Sequence, residues 1–280
     1  DVDAASINKI IDAHIPLLGD GSWVLEQLSA RLAQALQDQD DAAEQARAQG
    51  LKVWWQQINE WRAANGLNHN LKAQAGKPIL PQLAIQSLYK VTQGEAFVCS
   101  DVGQHQMFAA QYYLYDRPRQ WINSGGLGTM GFGLPAAMGI KLTHPEDEVL
   151  CFTGEGSIQM NIQELSTCSQ YELPVKIINL NNRALGMVRQ WQDMQYEGRH
   201  SHSYMDSIPD FKGLVEAYGH VGISIKTPGE LRAGLEEDFA QKDRLVFVDI
   251  EVDPNEHVYP MHVAPNGSMR DMWLKKGVRT

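Results

Sequence analysis

The chain carries only three cysteines, Cys99, Cys151 and Cys168, among its 280 residues. An odd number, set in apolar or helical surroundings, excludes a disulfide framework and points to buried thiols in a reducing compartment. Long apolar runs are missing as well. No window reaches the roughly 18 residues of a membrane span, and the first residues lack the basic-then-apolar order of a signal peptide. The expected location is therefore the cytoplasm, with no membrane partner. Basic charge is scarce: 24 Lys and Arg stand against 34 Asp and Glu, for a formal charge of −10. That balance repels phosphate backbones and argues against nonspecific nucleic-acid binding. Internal repeats and low-complexity tracts are also absent. The start at Asp1, without an initiator Met, is what a processed, tagged or truncated piece would show.

What is present is a hydrophobic fraction of 43%, ample for one large or two small domains. Leu25, Leu28, Leu32 and Leu36 fall on one helical face over residues 22–36, with Ser22 as the expected N-cap. A polar, acidic stretch from Gln37 to Gln49 separates this helix from a second stripe, Val53, Trp54, Ile58 and Trp61, which closes near Asn65-Gly66. The tryptophans read as packing residues. Asn68 to Lys77 reads as a surface loop, and Pro81 suits the first turn of a helix carrying Ile85, Leu88 and Val91.

From there on, short apolar runs alternate with helical patterns. Ala96–Ser100, Val149–Phe152, Val175–Leu180, Val221–Ile225 and Leu245–Val252 read as buried strands. Phe211, Leu214, Val215 and Tyr218 mark a helix stopped at Gly219. Thr227-Pro228-Gly229-Glu230 is a capping box ahead of Leu231, Leu235 and Phe239. The expected fold class is α/β, a doubly wound, mostly parallel sheet flanked by helices.

The most informative motif is Gly154-Glu155-Gly156, placed directly after a strand and followed 24 residues later by Asn181-Asn182, directly after the next. Ser157 opens a segment with Ile158, Ile162 and Leu165 at helical spacing, which closes at Leu173-Pro174. This is one βαβ unit, and it brings both strand ends to the same sheet edge. A helix start there offers free N–H groups to an anion. Across that edge the Glu155 carboxylate and the Asn182 amide oxygen would approach each other, and such hard oxygens suit Mg²⁺ beside a substrate phosphate. On the residues alone, His105 in a polar loop reads as a solvated histidine, and the His200/His202 pair, lacking a third ligand, as a surface loop.

The pairing of Gly-acid-Gly with Asn-Asn resembles the thiamin diphosphate (ThDP) motif. Three longer stretches sharpen the resemblance: Asp101-Val-Gly-Gln-His-Gln-Met107, the Gly-rich run Trp121 to Ala137, and Asn181-Asn-Arg-Ala-Leu-Gly-Met-Val-Arg-Gln-Trp-Gln192. Together they look like the C-terminal, cofactor-binding domain of bacterial acetolactate (acetohydroxyacid) synthase catalytic subunits. The likeness runs from about residue 80 to the C-terminus. Residues 1–36 resemble the end of that family's central domain, 37–79 a helix and linker, and 80–280 the ThDP diphosphate-binding domain. The chain thus looks like the C-terminal half of a longer parent.

The resemblance implies that Val102, Gly103, Gln104 and His105 lie beside the cofactor diphosphate. It implies that Gly154, Gly156, Ser157, Gly186 and Met187 add contacts there. Gly128 and Met130 would support the aminopyrimidine ring, with Met130 as the wedge that keeps the cofactor bent. Glu155, Asn182 and the Ala184 carbonyl would bind Mg²⁺, and Trp191 would stand at the substrate channel. No residue of this chain is assigned to catalysis itself.

The implied reaction joins pyruvate to a second 2-keto acid, giving 2-acetohydroxy acids for branched-chain amino-acid synthesis. FAD, a homodimer or larger assembly and a small regulatory subunit would belong to the complete parent. The family's activating glutamate lies on an N-terminal domain that nothing in these residues resembles, so the chain by itself is expected to be inactive. Glu155 departs from the family's usual Asp, Ala184 from a larger residue, and Phe108 from a frequent Trp. The alternatives are another ThDP carboligase or decarboxylase, such as glyoxylate carboligase or pyruvate oxidase, and a non-catalytic ThDP/Mg-binding domain. Gln190-Trp191-Gln192 favours the synthase.

Overall fold

The structure, a computed structural model, describes residues 1–262, 271–275 and 277–279. The chain divides into two compact units, Asp1–Gly66 and Leu67–Thr280. In the first, α1 (Gly21–Gln37) is capped by Asp20, whose carboxylate accepts the Trp23 N–H at 3.1 Å. Ser22, the expected cap, already lies inside the first turn, and a carboxylate at the positive helix end is the stronger capping group. Helix α2 (Asp41–Asn65) starts behind Asp40 in the same way. Most of the polar stretch 37–49 is therefore helical rather than a separator, since it is Ala-rich and puts Asp41 and Glu44 in the first turn. Trp54 and Trp61 meet edge to face, with ring centroids 5.5 Å apart. Neither helix buries a residue, and the leucine stripe of α1 is exposed.

The second unit runs α3 (Pro81–Thr92), β1 (Phe97–Ser100), α4 (Gln104–Tyr112), β2 (Trp121–Asn123), α5 (Gly133–Thr143), β3 (Val149–Thr153), α6 (Glu155–Ile158), α7 (Leu165–Gln170), β4 (Lys176–Asn181), α8 (Gly186–Gln195), α9 (Phe211–Ala217), β5 (Val221–Ile225), α10 (Leu231–Ala240) and β6 (Val246–Glu251). The six strands form one sheet in the order β2-β1-β3-β4-β6-β5, every neighbouring pair parallel. Strands β3 and β4 are buried along their whole length. This is why they read as continuous apolar runs rather than alternating ones.

Alternation governs which face each residue serves. In β3, Leu150 and Phe152 join one core with Leu83 and Leu88 of α3, Phe108 of α4 and Leu235 of α10. Val149 and Cys151 join the other, with Leu134 of α5, Cys168 of α7 and Phe211 of α9. Helices thus cover both faces, as the doubly wound class requires. All three cysteines are free and buried in that second core, and burial raises the Cys99 and Cys168 thiols to about 12.

Two departures concern elements near the motif. The segment after Gly154 is not one helix: α6 makes a single turn, a 3₁₀ turn covers Ile162–Glu164, and α7 follows. The break falls at Asn161, whose side-chain amide donates to the Gly131 carbonyl, a local bond that competes with helix continuation. Past β6, a small antiparallel sheet of β7 (Met261–His262), β8 (Met272–Lys275) and β9 (Val278–Arg279) was not expected. At the opposite sheet edge, the fully buried Lys176 ammonium donates to the carbonyls of Asp238 at 3.1 Å and Gln241, and faces the buried Asp238 carboxylate at 3.7 Å. It closes the C-terminal end of α10.

Candidate cofactor site

The strand order reverses between β1 and β3, and in doubly wound sheets the crevice at such a point is where ligands bind. A cavity of about 170 Å³ lies there, at the C-terminal ends of β1, β3 and β4. It is lined by Val102, Gly103, Gln104 and His105 after β1, by Gly154 to Ser157 after β3, and by Asn182 with Ala184 to Val188 after β4. Met130 reaches it from the Gly-rich loop. Three widely separated sequence segments thus converge because parallel strands deliver their C-terminal ends to one edge.

The first loop is held by Asp101. Its buried carboxylate accepts the N–H groups of Val102 at 3.1 Å and Gly131 at 2.7 Å, and the Thr153 hydroxyl at 3.2 Å. Burial raises its pKa, and those hydrogen bonds oppose the rise. Ser157 Oγ then donates to the Val102 carbonyl at 2.9 Å, fastening the loop after β1 to that after β3. In the sequence Asp101 was only the first residue of the Asp101–Met107 stretch, with no role of its own. Its clue was a carboxylate entering a loop directly from a buried strand, a placement that requires partners.

His105 is not a solvated loop histidine. It sits in the first turn of α4 with 7% exposure, and burial pushes its pKa down to about 3, so the ring is neutral. Its Nε2 is buried with no partner among the described residues. A Cβ at Gly103 would stand 2.7 Å from the ring, and one at Gly154 2.9 Å. Both glycines are therefore set by the close approach of backbone to this imidazole.

Glu155 and Asn182 do meet across the edge. Glu155 Oε1 accepts the Ala184 N–H at 2.7 Å and Asn182 Oδ1 accepts the same N–H at 3.1 Å. Two oxygens converge on one donor. Glu155 is 1% exposed, no cation stands against it among the described residues, and burial raises its pKa to about 7. Such a carboxylate is destabilised by its site unless a positive partner arrives. Asn182 in turn donates Nδ2 to Gln104 Oε1 at 3.0 Å. Gly186 permits this: a Cβ there would lie 2.1 Å from Gln104 Oε1 and 2.7 Å from Asn182 Nδ2.

Gln104 and His105 at the start of α4, Gly186 to Val188 at the start of α8, and Gly156 with Ser157 all line the cavity, and helix starts leave backbone N–H groups without an intrahelical acceptor. Two of the residues singled out from the sequence lie elsewhere. Gly128 belongs to the turn behind Met130, at a left-handed φ of 72°, and does not line the cavity. Trp191 sits on α8 beside a separate small cleft with Met194, Met261 and His262. His200 pairs with Asp193 at 2.6 Å, and no cluster of three or more His, Cys, Asp or Glu suited to a metal occurs among the described residues.

The reversal point of this doubly wound sheet thus carries a buried carboxylate with no cation against it among the described residues and a buried imidazole with an open nitrogen, at the place where folds of this class take their ligands. Residues 101–250 match the family described as thiamine pyrophosphate enzyme, C-terminal TPP binding domain, and the chain belongs to that family. Its cofactor is accordingly thiamin diphosphate. Among curated proteins, the chain is 56% identical over 282 residues to the acetolactate synthase isozyme 3 large subunit of Escherichia coli (strain K12), covering 100% of this chain and 47% of that protein. It is 53% identical over 277 residues to the acetolactate synthase large subunit of Haemophilus influenzae, covering 99% and 46%. The probable acetolactate synthase 2, chloroplastic, of Oryza sativa is 37% identical over 281 residues, covering 97% and 41%. The chain spans about half the length of the curated relatives it matches. No helix among the described residues is long and apolar enough to cross a membrane.

Proposed function

We propose that this chain is the cofactor-diphosphate half of an acetolactate synthase active site, holding ThDP through Mg²⁺. The observation that carries the reading is the convergence of the Glu155 and Asn182 oxygens, one of them from a buried carboxylate with no cation against it among the described residues, at the rim of a cavity lined by the starts of α4 and α8. Glu155, Asn182 and the Ala184 carbonyl would hold Mg²⁺, a donor set of hard oxygens that leaves room for diphosphate oxygens. Gly103, Gln104, His105, Gly154, Gly156, Ser157, Gly186 and Met187 would surround the diphosphate. His105, kept neutral by burial, would face it with a buried Nε2 that has no partner among the described residues. Val102 would join these residues at the diphosphate, and Met130 would support the aminopyrimidine side, with Gly128 in the turn behind it. Met130 is soft enough to pack on a heteroaromatic ring.

When bound, ThDP supplies the carbon nucleophile for decarboxylating pyruvate and joining it to a second 2-keto acid. The protein's part is orientation, exclusion of water and charge balance. Trp191 would line the approach of the keto acid rather than the diphosphate pocket. FAD, a homodimeric or larger assembly and a small regulatory subunit belong to the complete protein in this reading, which places it in the cytoplasm. The remaining half of the relatives' length would complete the site, so these residues alone are expected to turn over nothing.

The test is product analysis on the full-length protein carrying this chain. With pyruvate, ThDP and Mg²⁺ it should form acetolactate, and Gly186→Ala should raise the ThDP concentration this needs by about tenfold or more. Condensation of glyoxylate, with none from pyruvate, would transfer the reading to another ThDP carboligase.

A further inference from the structure

The Mg²⁺ ligand Asn182 has a side chain whose two ends differ: its oxygen can face a metal, whereas its NH₂ cannot. What holds the oxygen inward starts at a backbone segment 76 residues away, 74–76 positions further along the chain at Glu256–Val258. The Val258 N–H can only donate, and it donates to Gln190 Oε1 at 2.9 Å. The Val258 carbonyl can only accept, and it accepts Gln190 Nε2 at 2.9 Å. These two bonds fix which end of the Gln190 amide points where.

Gln190 Oε1 then accepts Gln104 Nε2 at 2.8 Å, and the Glu256 carbonyl accepts the same NH₂ at 3.2 Å. Gln104 must therefore turn Oε1 toward Asn182, which answers with Nδ2 at 3.0 Å. Asn182 Oδ1 is left facing Glu155's partner, the Ala184 N–H. Gln104, Gln190 and Val258 are all at least nine-tenths buried, so no water competes along this line. The geometry points to Gln190 as a positioning residue: the backbone polarity of Glu256–Val258, relayed through Gln190 and Gln104, sets the orientation of the metal-binding amide of Asn182. This rests on the cofactor reading above and adds to it a dependence on a strap of chain beyond β6.

The consequence is a coupling. Releasing the strap frees the Gln104 and Asn182 amides to rotate, and binding of ThDP with Mg²⁺ should tighten the strap in return. Outer partners of metal ligands commonly govern affinity by about 10- to 100-fold.

The experiment uses the full-length protein and two readouts: calorimetric titration of Mg²⁺ in the presence of ThDP, and amide hydrogen exchange over residues 256–259. In the unsubstituted protein, ThDP with Mg²⁺ should slow exchange in the strap. Gln190→Met, close in shape but unable to relay, should lose about tenfold or more in Mg²⁺ affinity and lose the cofactor-dependent protection. Gln190→Glu keeps the acceptor for Gln104 and the Val258 N–H but loses the bond to the Val258 carbonyl, so it should keep more Mg²⁺ affinity than Gln190→Met while losing part of the cofactor-dependent protection, a split that a packing role would not give. Gln111→Leu is the control, because Gln111 Nε2 donates to the Tyr259 carbonyl at 3.2 Å and touches the strap without joining the relay.

Unchanged Mg²⁺ affinity in Gln190→Met overturns the inference, as does an equal loss in Gln111→Leu. If Gln190→Met does not fold, Gln190→Glu decides: unchanged cofactor-dependent protection of the strap there, with the Val258 carbonyl bond lost, overturns it. Failure of the unsubstituted protein to bind ThDP with Mg²⁺ at all would instead sink the cofactor reading, and the relay with it.

Discussion

Glu155 is the residue where stability and binding are set against each other. Its pKa is raised by burial to about 7, from an ordinary value of 4.5. Between those values the folded cofactor-free protein holds more protons than the unfolded chain, so stability is present at low pH and is lost as pH rises through about 7. Glu155→Gln should remove that loss, making the cofactor-free variant gain about 2 to 3 kcal/mol on the parent between pH 5 and pH 8 in urea unfolding. A parallel pH dependence in both proteins would refute this. His105 works with the opposite sign: its pKa falls from 6.5 to about 3, so its contribution is full above 6.5 and is lost as pH drops toward 3. Shortening the acid is a separate matter: on the proposed reading, Glu155→Asp supplies the shorter side chain that the resemblance implies for a Mg²⁺ ligand, and calorimetry should find ThDP·Mg²⁺ binding several-fold tighter. At Gly186, an added methyl would meet Gln104 Oε1 at 2.1 Å, so Gly186→Ala should cost at least tenfold in ThDP·Mg²⁺ affinity.

At the level of elements, the motif strands were readable because each is apolar from end to end, as Val149–Phe152 and Val175–Leu180 are. Elements fixed by long-range polar bonds were not. The break at Asn161 depends on Gly131, 30 positions away, and the relay from Gln104 to Gln190 spans 86. No periodicity encodes such a pair. Helix α2 was missed over its first turns for another reason: those turns, unlike the Val53–Trp61 stretch, carry no apolar stripe, and only the Asp40 cap and acidic first turn marked them. The far end of α10 offers an element-scale test. Lys176→Met would leave the carbonyls of Asp238 and Gln241 and the Asp238 carboxylate without their ammonium, and should destabilise folding by about 3 to 5 kcal/mol in urea unfolding. ThDP·Mg²⁺ affinity should be unchanged in the folded variant, since the pair lies at the opposite edge of the sheet.

For the whole molecule, the sheet topology explains why so much of the site could be read from a single chain. A doubly wound fold collects the turns after β1, β3 and β4 at one edge, so three short motifs identify one cavity. The meeting of Glu155 and Asn182 was therefore accessible to sequence reasoning, whereas His105 read on its residues alone as solvated and was placed beside them only by the resemblance. Asp101, Gln190 and the strap at Glu256–Val258 were not, because their importance lies in partners rather than in their own neighbours along the chain. The most direct measurement is calorimetric titration of ThDP into the full-length protein with Mg²⁺ or with chelator present. The expected result is saturable binding with Mg²⁺, at least tenfold weaker without it and equally weakened in Glu155→Gln. Binding that is indifferent to Mg²⁺ and to Glu155 would contradict the assignment of this cavity as a metal-bridged diphosphate site.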